Sequence, residues 1–181
     1  HEAIRNDHPK KIYLALGVGK FAQDKVHVKL PLYKYTGAQG EKMVRVSEEG
    51  QSAHTIFRVL QRFSGPLLHQ IGLSDLTYIE ATLKTGRTHQ IRVHMQSQAC
   101  PIAGDERYGD YQANKRLQKI GLKRMFLHAA ELHLSHPLTD EPLKLVAPLP
   151  QELAQMMAML ENSQSKPTEL QTDSLLKKII H

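Results

Sequence analysis

The strongest constraint on the fold is a series of short segments with alternating apolar residues, spread over the first 83 residues. Alternation with a period of two predicts half-buried β-strands, because successive strand side chains lie on opposite faces of a sheet. Short loops between such segments favour antiparallel pairing, since parallel strands need a longer crossover. Gly37 and Gly40 mark the connection before the third segment as a loop. The predicted strands are Lys11–Val18, Val26–Leu30, Met43–Val46, Ala53–Phe63 and Leu76–Leu83.

After residue 88 the pattern changes to a mixture of helices and strands. Thr88 suits the N-cap of a helix over residues 89–98, and Gly121 suits the C-cap of a helix over residues 114–120. A third helix, over residues 151–161, has an apolar stripe. The stripe consists of Leu153, Met156, Met157 and Leu160, and two further strands are predicted at Met125–Leu134 and Leu143–Val146. We therefore predict an α+β fold, with a mainly antiparallel mixed sheet flanked by short helices and loops.

The 181 residues predict one soluble domain over residues 1–161 and a mobile or weakly helical tail over residues 162–181. His1–Asp7 is predicted to be the end of a helix. No apolar run approaches the roughly 20 residues of a membrane helix, so no membrane partner is expected. Cys100 is the only cysteine, which excludes an intrachain disulfide and indicates a reducing, cytoplasmic location.

The excess positive charge of the chain lies entirely in its first half. Residues 1–100 contain 14 lysines and arginines against 8 aspartates and glutamates, whereas residues 101–181 contain 10 of each, which gives the net charge of +6. A polyanion such as RNA or DNA is the natural partner for this excess. The charge is equally compatible with a role in solubility alone, because moderately basic soluble proteins are common.

The segment Thr85–His94 concentrates the residues best suited to chemistry. A strand ends there at a Thr-Gly turn and a helix begins at once, so unpaired backbone N–H groups and two arginines lie together. Arg92 lies one turn into that helix, and if it is buried it needs an acidic partner. The alternative is a solvated basic turn. Asp105, in the next loop, is either a general acid or base, a cap for the following turn, or the partner of a nearby arginine.

The histidines do not have the spacing of a metal site. Zinc-binding pairs on a helix lie four residues apart, whereas His89 and His94 are five apart and lie about 140° from each other around the axis. We expect no metal, and hydrogen bonding of these histidines to backbone or RNA. Cys100 precedes Pro101 in an apolar setting and is expected to pack rather than to react.

Several motifs occur in the order and form in which a known family has them. These are Lys11-x-Tyr13-x-Ala15, Gly86–His94, Pro101–Asp105, Tyr108-Gly109 and Phe126–Ala130. Together they closely resemble the RluA-type family of RNA pseudouridine synthases over residues 1–159. The stretch Gly121–Ala129 is most similar to the subgroup that modifies large-subunit ribosomal RNA.

The resemblance implies the isomerisation of uridine to pseudouridine in 23S-type ribosomal RNA, by a monomer that uses no cofactor. The uridine would be flipped out of the RNA. The resemblance implies that Tyr13 packs on the flipped base and is a candidate base for the C5 proton, and that Arg92 pairs with the catalytic aspartate. The residues expected to contact the RNA or wall the base pocket are Arg87, His89, Gln90, Ile91 and Leu127.

The family's nucleophile, an aspartate in a His-Arg-Leu-Asp motif, is absent from these 181 residues. In the family this motif lies shortly upstream of the Lys-x-Tyr strand. The chain is therefore expected to be the C-terminal part of a catalytic domain, with the nucleophile and any S4-like RNA-binding domain outside it, and to be inactive alone. The alternatives are a non-catalytic RNA-binding or ribosome-assembly module with the same fold, and a basic protein with no RNA role. Residue identities do not predict which uridines are modified.

Overall fold

A six-stranded antiparallel sheet forms the centre of the molecule. The structure, a computed structural model, describes residues 9–164. Its strands are β1 (Lys10–Val18), β2 (Lys25–Val28), β3 (Leu32–Thr36), β4 (Lys42–Val46), β5 (Thr55–Phe63), β6 (Leu76–Leu83), β7 (Leu127–Ser135) and β8 (Pro142–Val146). Its helices are α1 (Pro66–Gln70), α2 (Gln90–Ser97), α3 (Tyr111–Gln118) and α4 (Gln151–Gln164). The large sheet has the order β2-β5-β6-β1-β7-β8, and β3 and β4 form a separate hairpin. The predicted α+β class is confirmed, and every described strand pair is antiparallel.

The central strand β1 divides the core into two layers, because its alternate side chains lie on opposite faces of the sheet. Ala15 belongs to the layer that packs under α2 with Ile91 and Met95. Leu16 belongs to the opposite layer, which contains Leu117 of α3 and the apolar stripe of α4. Because Ile91 belongs to the same layer as Ala15, the Thr85–His94 segment lies on that side of the sheet.

Two elements were missed by the sequence prediction. Residues 32–36 form β3 rather than a loop, because they pair with β4 in a hairpin. Only Leu32 of that strand is buried, so the segment lacks the apolar alternation that would identify it. Helix α1 begins at Pro66, directly after Gly65, and its five residues are too few to show a helical period.

The predicted helix ends also need correction. The N-cap of α2 is His89 in the left-handed conformation (φ 53°, ψ 25°), not Thr88, and no side-chain cap hydrogen bond is made there. Helix α3 begins three residues before the predicted start, because the Asp110 carboxylate accepts a hydrogen bond from the Ala113 N–H and caps it. That helix ends at a C-cap on Lys119 rather than on Gly121.

Helix α4 confirms the predicted apolar stripe, whose four side chains are all buried. The helix extends to Gln164, so it crosses the expected domain boundary at residue 161. The predicted helix end at His1–Asp7 and residues 165–181 of the expected tail lie outside the described residues. Among residues 9–164, no helix combines the length and the apolar character needed to cross a membrane.

Candidate active site

All seven residues that the sequence assigned to catalysis or RNA contact line one pocket of about 230 Å³ on the α2 side of the sheet. The pocket opens between the central strands and the first turn of α2. Its lining consists of Tyr13, Leu83, Arg87, His89, Gln90, Ile91, Arg92 and Leu127. Leu83 is the one lining residue that the sequence did not single out. Residues more than 110 positions apart in the chain are therefore brought together by the sheet.

Strand register explains why three side chains form the floor of the pocket. On β6, Leu83 lies opposite Lys11, two residues from Tyr13 and therefore on the same face of the sheet. On β7, Leu127 lies opposite Ala15, again two residues from Tyr13. Three neighbouring strands thus present one aromatic and two aliphatic side chains to the same space. A floor of this kind suits a flat, partly apolar ligand such as a nucleobase.

Arg92 is paired with Asp105 at the edge of the pocket. Its Nε and Nη2 atoms donate to the two oxygens of the carboxylate at 2.9 and 2.8 Å, in a bidentate arrangement. The arginine side chain is 16% exposed and the carboxylate is fully buried. The structure thereby supplies the acidic partner that a buried arginine requires, and it contradicts the alternative of a solvated turn at this residue.

Asp105 has a structural role as well as pairing with Arg92. Its Oδ1 atom also accepts hydrogen bonds from the backbone N–H groups of Arg107 and Tyr108. Burial acts to raise the pKa of this carboxyl group, but the hydrogen bonds from Arg92 and from the two N–H groups outweigh burial and lower it. Asp105 is therefore ionised at neutral pH, and of its predicted roles the structure shows the turn cap and the arginine partner.

One edge of the Arg92 guanidinium remains available. The group carries five N–H donors, of which Asp105 takes two, and no hydrogen bond is made by the Nη1 atom to any of residues 9–164. The guanidinium carbon also lies 4.9 Å from the centroid of the Tyr108 ring, in a cation–π contact. A second carboxylate or a phosphate could bind this edge without displacing Asp105.

Tyr108 connects the pocket to the β3–β4 hairpin. Its hydroxyl accepts a hydrogen bond from the Val44 N–H at 3.0 Å and lies 2.7 Å from Nδ1 of His89. Burial, followed by the charges of Arg92 and Arg107, lowers the pKa of His89. With the imidazole neutral, one hydrogen bond joins Nδ1 and the Tyr108 hydroxyl, and its direction depends on the tautomer of the ring. The Nε2 atom of His89 has no hydrogen-bond partner within residues 9–164.

Gln90 lines the pocket, but all of its amide hydrogen bonds are made within the protein. The carbonyl oxygen accepts from the Thr85 hydroxyl and from the Arg87 N–H, at 2.8 and 2.9 Å. The amide nitrogen donates to the His54 carbonyl and to the Thr55 hydroxyl oxygen, at 3.0 and 2.9 Å. Since an amide has two donors and two acceptor sites, none is left for a base edge. In this structure the Gln90 amide holds the turn that carries Arg87, and the contact of Gln90 with RNA stays a prediction.

A buried histidine continues this network away from the pocket. His94 is fully buried, and its Nε2 atom lies 2.9 Å from the Leu30 carbonyl oxygen. Because that oxygen can only accept, Nε2 carries the proton and Nδ1 accepts from the Thr55 hydroxyl at 2.8 Å. Burial lowers the pKa of His94, so the ring stays neutral. Of the two predicted histidine roles, backbone hydrogen bonding is the one that the structure shows for His94.

Comparison with known proteins identifies the family. A model of the RNA pseudouridylate synthase family matches residues 1–97, which is more than half of the chain. The chain belongs to the RNA pseudouridylate synthase family. Among its curated relatives, the ribosomal large subunit pseudouridine synthase C of Pasteurella multocida is 38% identical over 91% of this chain, and that of Escherichia coli is 39% identical over 90%. The chain covers 48% and 49% of those relatives, so it spans about half of their length.

Solved structures agree with the family assignment. Human RNA pseudouridylate synthase domain containing 4 is 28% identical, with a TM-score of 0.60 over 84% of this chain and 62% of its own. Human RNA pseudouridylate synthase domain containing 1 has the same fold, with a TM-score of 0.61 over 84% of this chain and 66% of its own at 23% identity. The resemblance to the RluA-type family and to its large-subunit subgroup, stated from the motifs, is confirmed.

The residues that support the pocket, rather than line it, were not identified from the sequence. Tyr108 stood in a recognised motif, but nothing in the sequence indicated that its hydroxyl binds the backbone of Val44, 64 residues earlier. Thr55 was treated only as part of a strand. As for metals, no group of three or more potential ligand side chains occurs within residues 9–164.

Cys100 is expected not to react with iodoacetamide in the native protein at pH 8. The side chain is fully buried in the layer beneath α2, and burial raises the pKa of its thiol to about 12. Because the thiolate is the reactive form, a thiol of this kind is both unexposed and protonated. Intact-mass measurement should show no adduct before unfolding and one adduct in urea. Rapid labelling of the folded protein would contradict the packing shown here.

Proposed function

We propose that the protein of which this chain is a part isomerises uridine to pseudouridine in large-subunit ribosomal RNA. The observation that carries the proposal is the pocket itself, in which Tyr13 and Arg92 line the same space. Two aliphatic side chains complete a surface that accepts a flipped base. The names of the curated relatives support the ribosomal substrate.

The reaction rearranges bonds within one nucleotide. The bond between N1 and C1′ breaks, the base turns, a bond forms between C5 and C1′, C5 loses its proton and N1 gains one. Stacking against Tyr13 would hold the base while it turns, and the Tyr13 hydroxyl, which has no hydrogen-bond partner among the described residues, would accept the C5 proton. Tyr13 would thus act both as a platform and as a proton acceptor.

Arg92 would position the nucleophilic carboxylate. Its bidentate bond to Asp105 fixes the plane of the guanidinium, and its remaining N–H donors are free to bind a second carboxylate. The nucleophile would come from a part of the protein outside these 181 residues, because the His-Arg-Leu-Asp motif does not occur within them. Asp105 is not a substitute, since its carboxylate is fully buried and is held by four hydrogen bonds to Arg92 and to two backbone N–H groups.

The remaining expectations follow from an RNA substrate. Excess positive charge in residues 1–100, and Arg87 at the rim of the pocket, would attract the phosphate backbone. Modification of ribosomal RNA suits an enzyme of the cytoplasm that acts as a monomer.

The test is a pseudouridine assay of the whole protein on a large-subunit ribosomal RNA transcript, in which carbodiimide adducts stop reverse transcription at modified sites. The wild-type protein should give a site-specific signal, and Tyr13→Phe should lower the rate by about two orders of magnitude through loss of the hydroxyl, as is typical of a general base. RNA affinity should be retained, because the ring still stacks. Tyr111→Phe is the matched control, since Tyr111 is 67% exposed on α3 and outside the pocket.

Two outcomes would contradict this proposal. A wild-type protein that binds RNA without forming pseudouridine would favour the non-catalytic RNA-binding module. Full activity of Tyr13→Phe would remove the role given to the Tyr13 hydroxyl. The 181-residue chain assayed alongside is expected to give no signal, and a clear signal from it would require a different nucleophile.

A further inference from the structure

We propose that a second hollow, adjoining the base pocket, binds the phosphodiester group next to the flipped nucleotide. The inference rests on the proposed function and assigns a phosphate subsite to that same site. The hollow has a volume of about 190 Å³ and lies between the β3–β4 hairpin and the turn at residues 86–88. Its lining consists of Leu32, Lys34, Val44, Gln51, Gly86, Arg87 and Thr88.

Arg87 joins the two cavities, because it lines both the base pocket and the hollow. Its Nε atom donates to the Ser52 carbonyl oxygen at 3.0 Å, which fixes the side chain along the segment before β5. Its two terminal nitrogens make no hydrogen bond or ion pair within residues 9–164. A polynucleotide with one base in the pocket therefore meets a fixed guanidinium with free donors at the entrance to the hollow.

Lys34 brings a second positive charge to the hollow from the opposite side. It stands between Tyr33 and Tyr35 on β3, so its side chain shares a face of the hairpin with the buried side chain of Leu32 rather than with the two tyrosines. On β4 it lies opposite Val44, which also lines the hollow. No carboxylate of the described residues forms an ion pair with Lys34, and no acidic side chain lines the hollow.

The turn leaves room and polar groups for a ligand. A Cβ atom added at Gly86 would meet no other atom within 4 Å, so the backbone borders open space there. The hydroxyl of Thr88 makes no hydrogen bond within the described part of the chain, although this residue was expected to cap α2. A site with two cations and a free hydroxyl, and without an acidic side chain, is suited to bind a phosphodiester. Because the base pocket adjoins it, we assign that phosphodiester to RNA.

The experiment uses the whole protein and a short RNA that contains the modified uridine. Lys34→Ala should raise KM for that RNA about five- to tenfold, with a much smaller effect on kcat, because a phosphate contact contributes mainly to binding. The slope of log affinity against log salt should fall by about 0.7, the value for one phosphate of a single strand. Lys119→Ala, at the exposed end of α3 and outside both cavities, is the matched control and should change neither quantity.

A neutral methylphosphonate at each linkage beside the uridine locates the contact. At one linkage, the methylphosphonate should weaken RNA binding by the wild-type protein as much as the Lys34→Ala substitution does. The same methylphosphonate should not weaken RNA binding by the Lys34→Ala variant any further. Gly86→Leu, which adds a bulky side chain at the lining of the hollow and keeps both cations, should raise KM in the same way.

An unchanged KM and salt slope in Lys34→Ala, or equal sensitivity of both proteins at every linkage, would overturn the phosphate subsite while leaving the isomerase intact. The opposite result is also informative. If the wild-type protein forms no pseudouridine, but its salt dependence and its sensitivity to the methylphosphonate both depend on Lys34, the proposed isomerase is refuted and the phosphate subsite is retained.

Discussion

Replacement of Arg92 by methionine in the whole protein is expected to lower the rate of pseudouridine formation by about two to four orders of magnitude. Methionine keeps an unbranched side chain but removes the guanidinium that would hold the nucleophilic carboxylate beside the base. Without the guanidinium, the nucleophilic carboxylate would be buried without a partner, which costs about 3–5 kcal/mol. Each 1.36 kcal/mol of barrier corresponds to about a tenfold change in rate. The measurement is single-turnover formation of pseudouridine with saturating enzyme.

The controls for Arg92 separate charge from geometry. Arg92→Lys keeps the positive charge but loses the planar fork, so we expect most of the rate loss to remain. Arg58→Met removes an arginine that is paired with Glu80 on the exposed side of β5, where a surface ion pair contributes at most about 1 kcal/mol. Its rate should match the wild type. Near-normal turnover of folded Arg92→Met would refute the positioning role.

Replacement of Asp105 by alanine is expected to destabilise the whole protein by about 3–5 kcal/mol. The change removes four hydrogen bonds to a fully buried carboxylate and leaves the charge of Arg92 without its partner. Urea unfolding measures the loss as a lower midpoint at unchanged slope. The matched control is Asp24→Ala, whose carboxylate is 88% exposed in its pair with Arg62, and which should cost about 1 kcal/mol or less.

The stabilisation by Asp105 should depend on pH in the acid range. Its pKa in the folded protein is lower than the ordinary value of 3.8, so its stabilisation is fully present above that value. It is lost as the pH falls through the folded pKa, where protonation breaks the pair with Arg92. The difference in stability between the wild type and Asp105→Ala should therefore narrow below about pH 3.8. A difference that stays constant down to the lowest pH at which both fold would contradict the ionic role.

Local patterns predicted the parts of the fold that have a buried face. The alternation in β1, β5 and β6 and the stripe of α4 record which side chains meet the core, so periodicity was enough to place them. Strand β3 has no such alternation of buried side chains, because only Leu32 of its five residues is buried. The start of α2 was misplaced by one residue, because His89 adopts the left-handed conformation at the N-cap and no side-chain hydrogen bond caps the helix there.

The sequence by itself determined the strands with a buried face, the family, and seven of the eight residues that line the pocket, because these depend on residue type and order. Only the tertiary structure showed that Asp105 is the partner of Arg92, that the Gln90 amide is fully used, and that Lys34 borders a hollow beside Arg87. The sequence implied that a buried Arg92 needs an acidic side chain as its partner, but it did not identify that side chain. The physical reason is that hydrogen bonds and charge pairs depend on positions in space, which strand pairing sets between residues far apart in the chain.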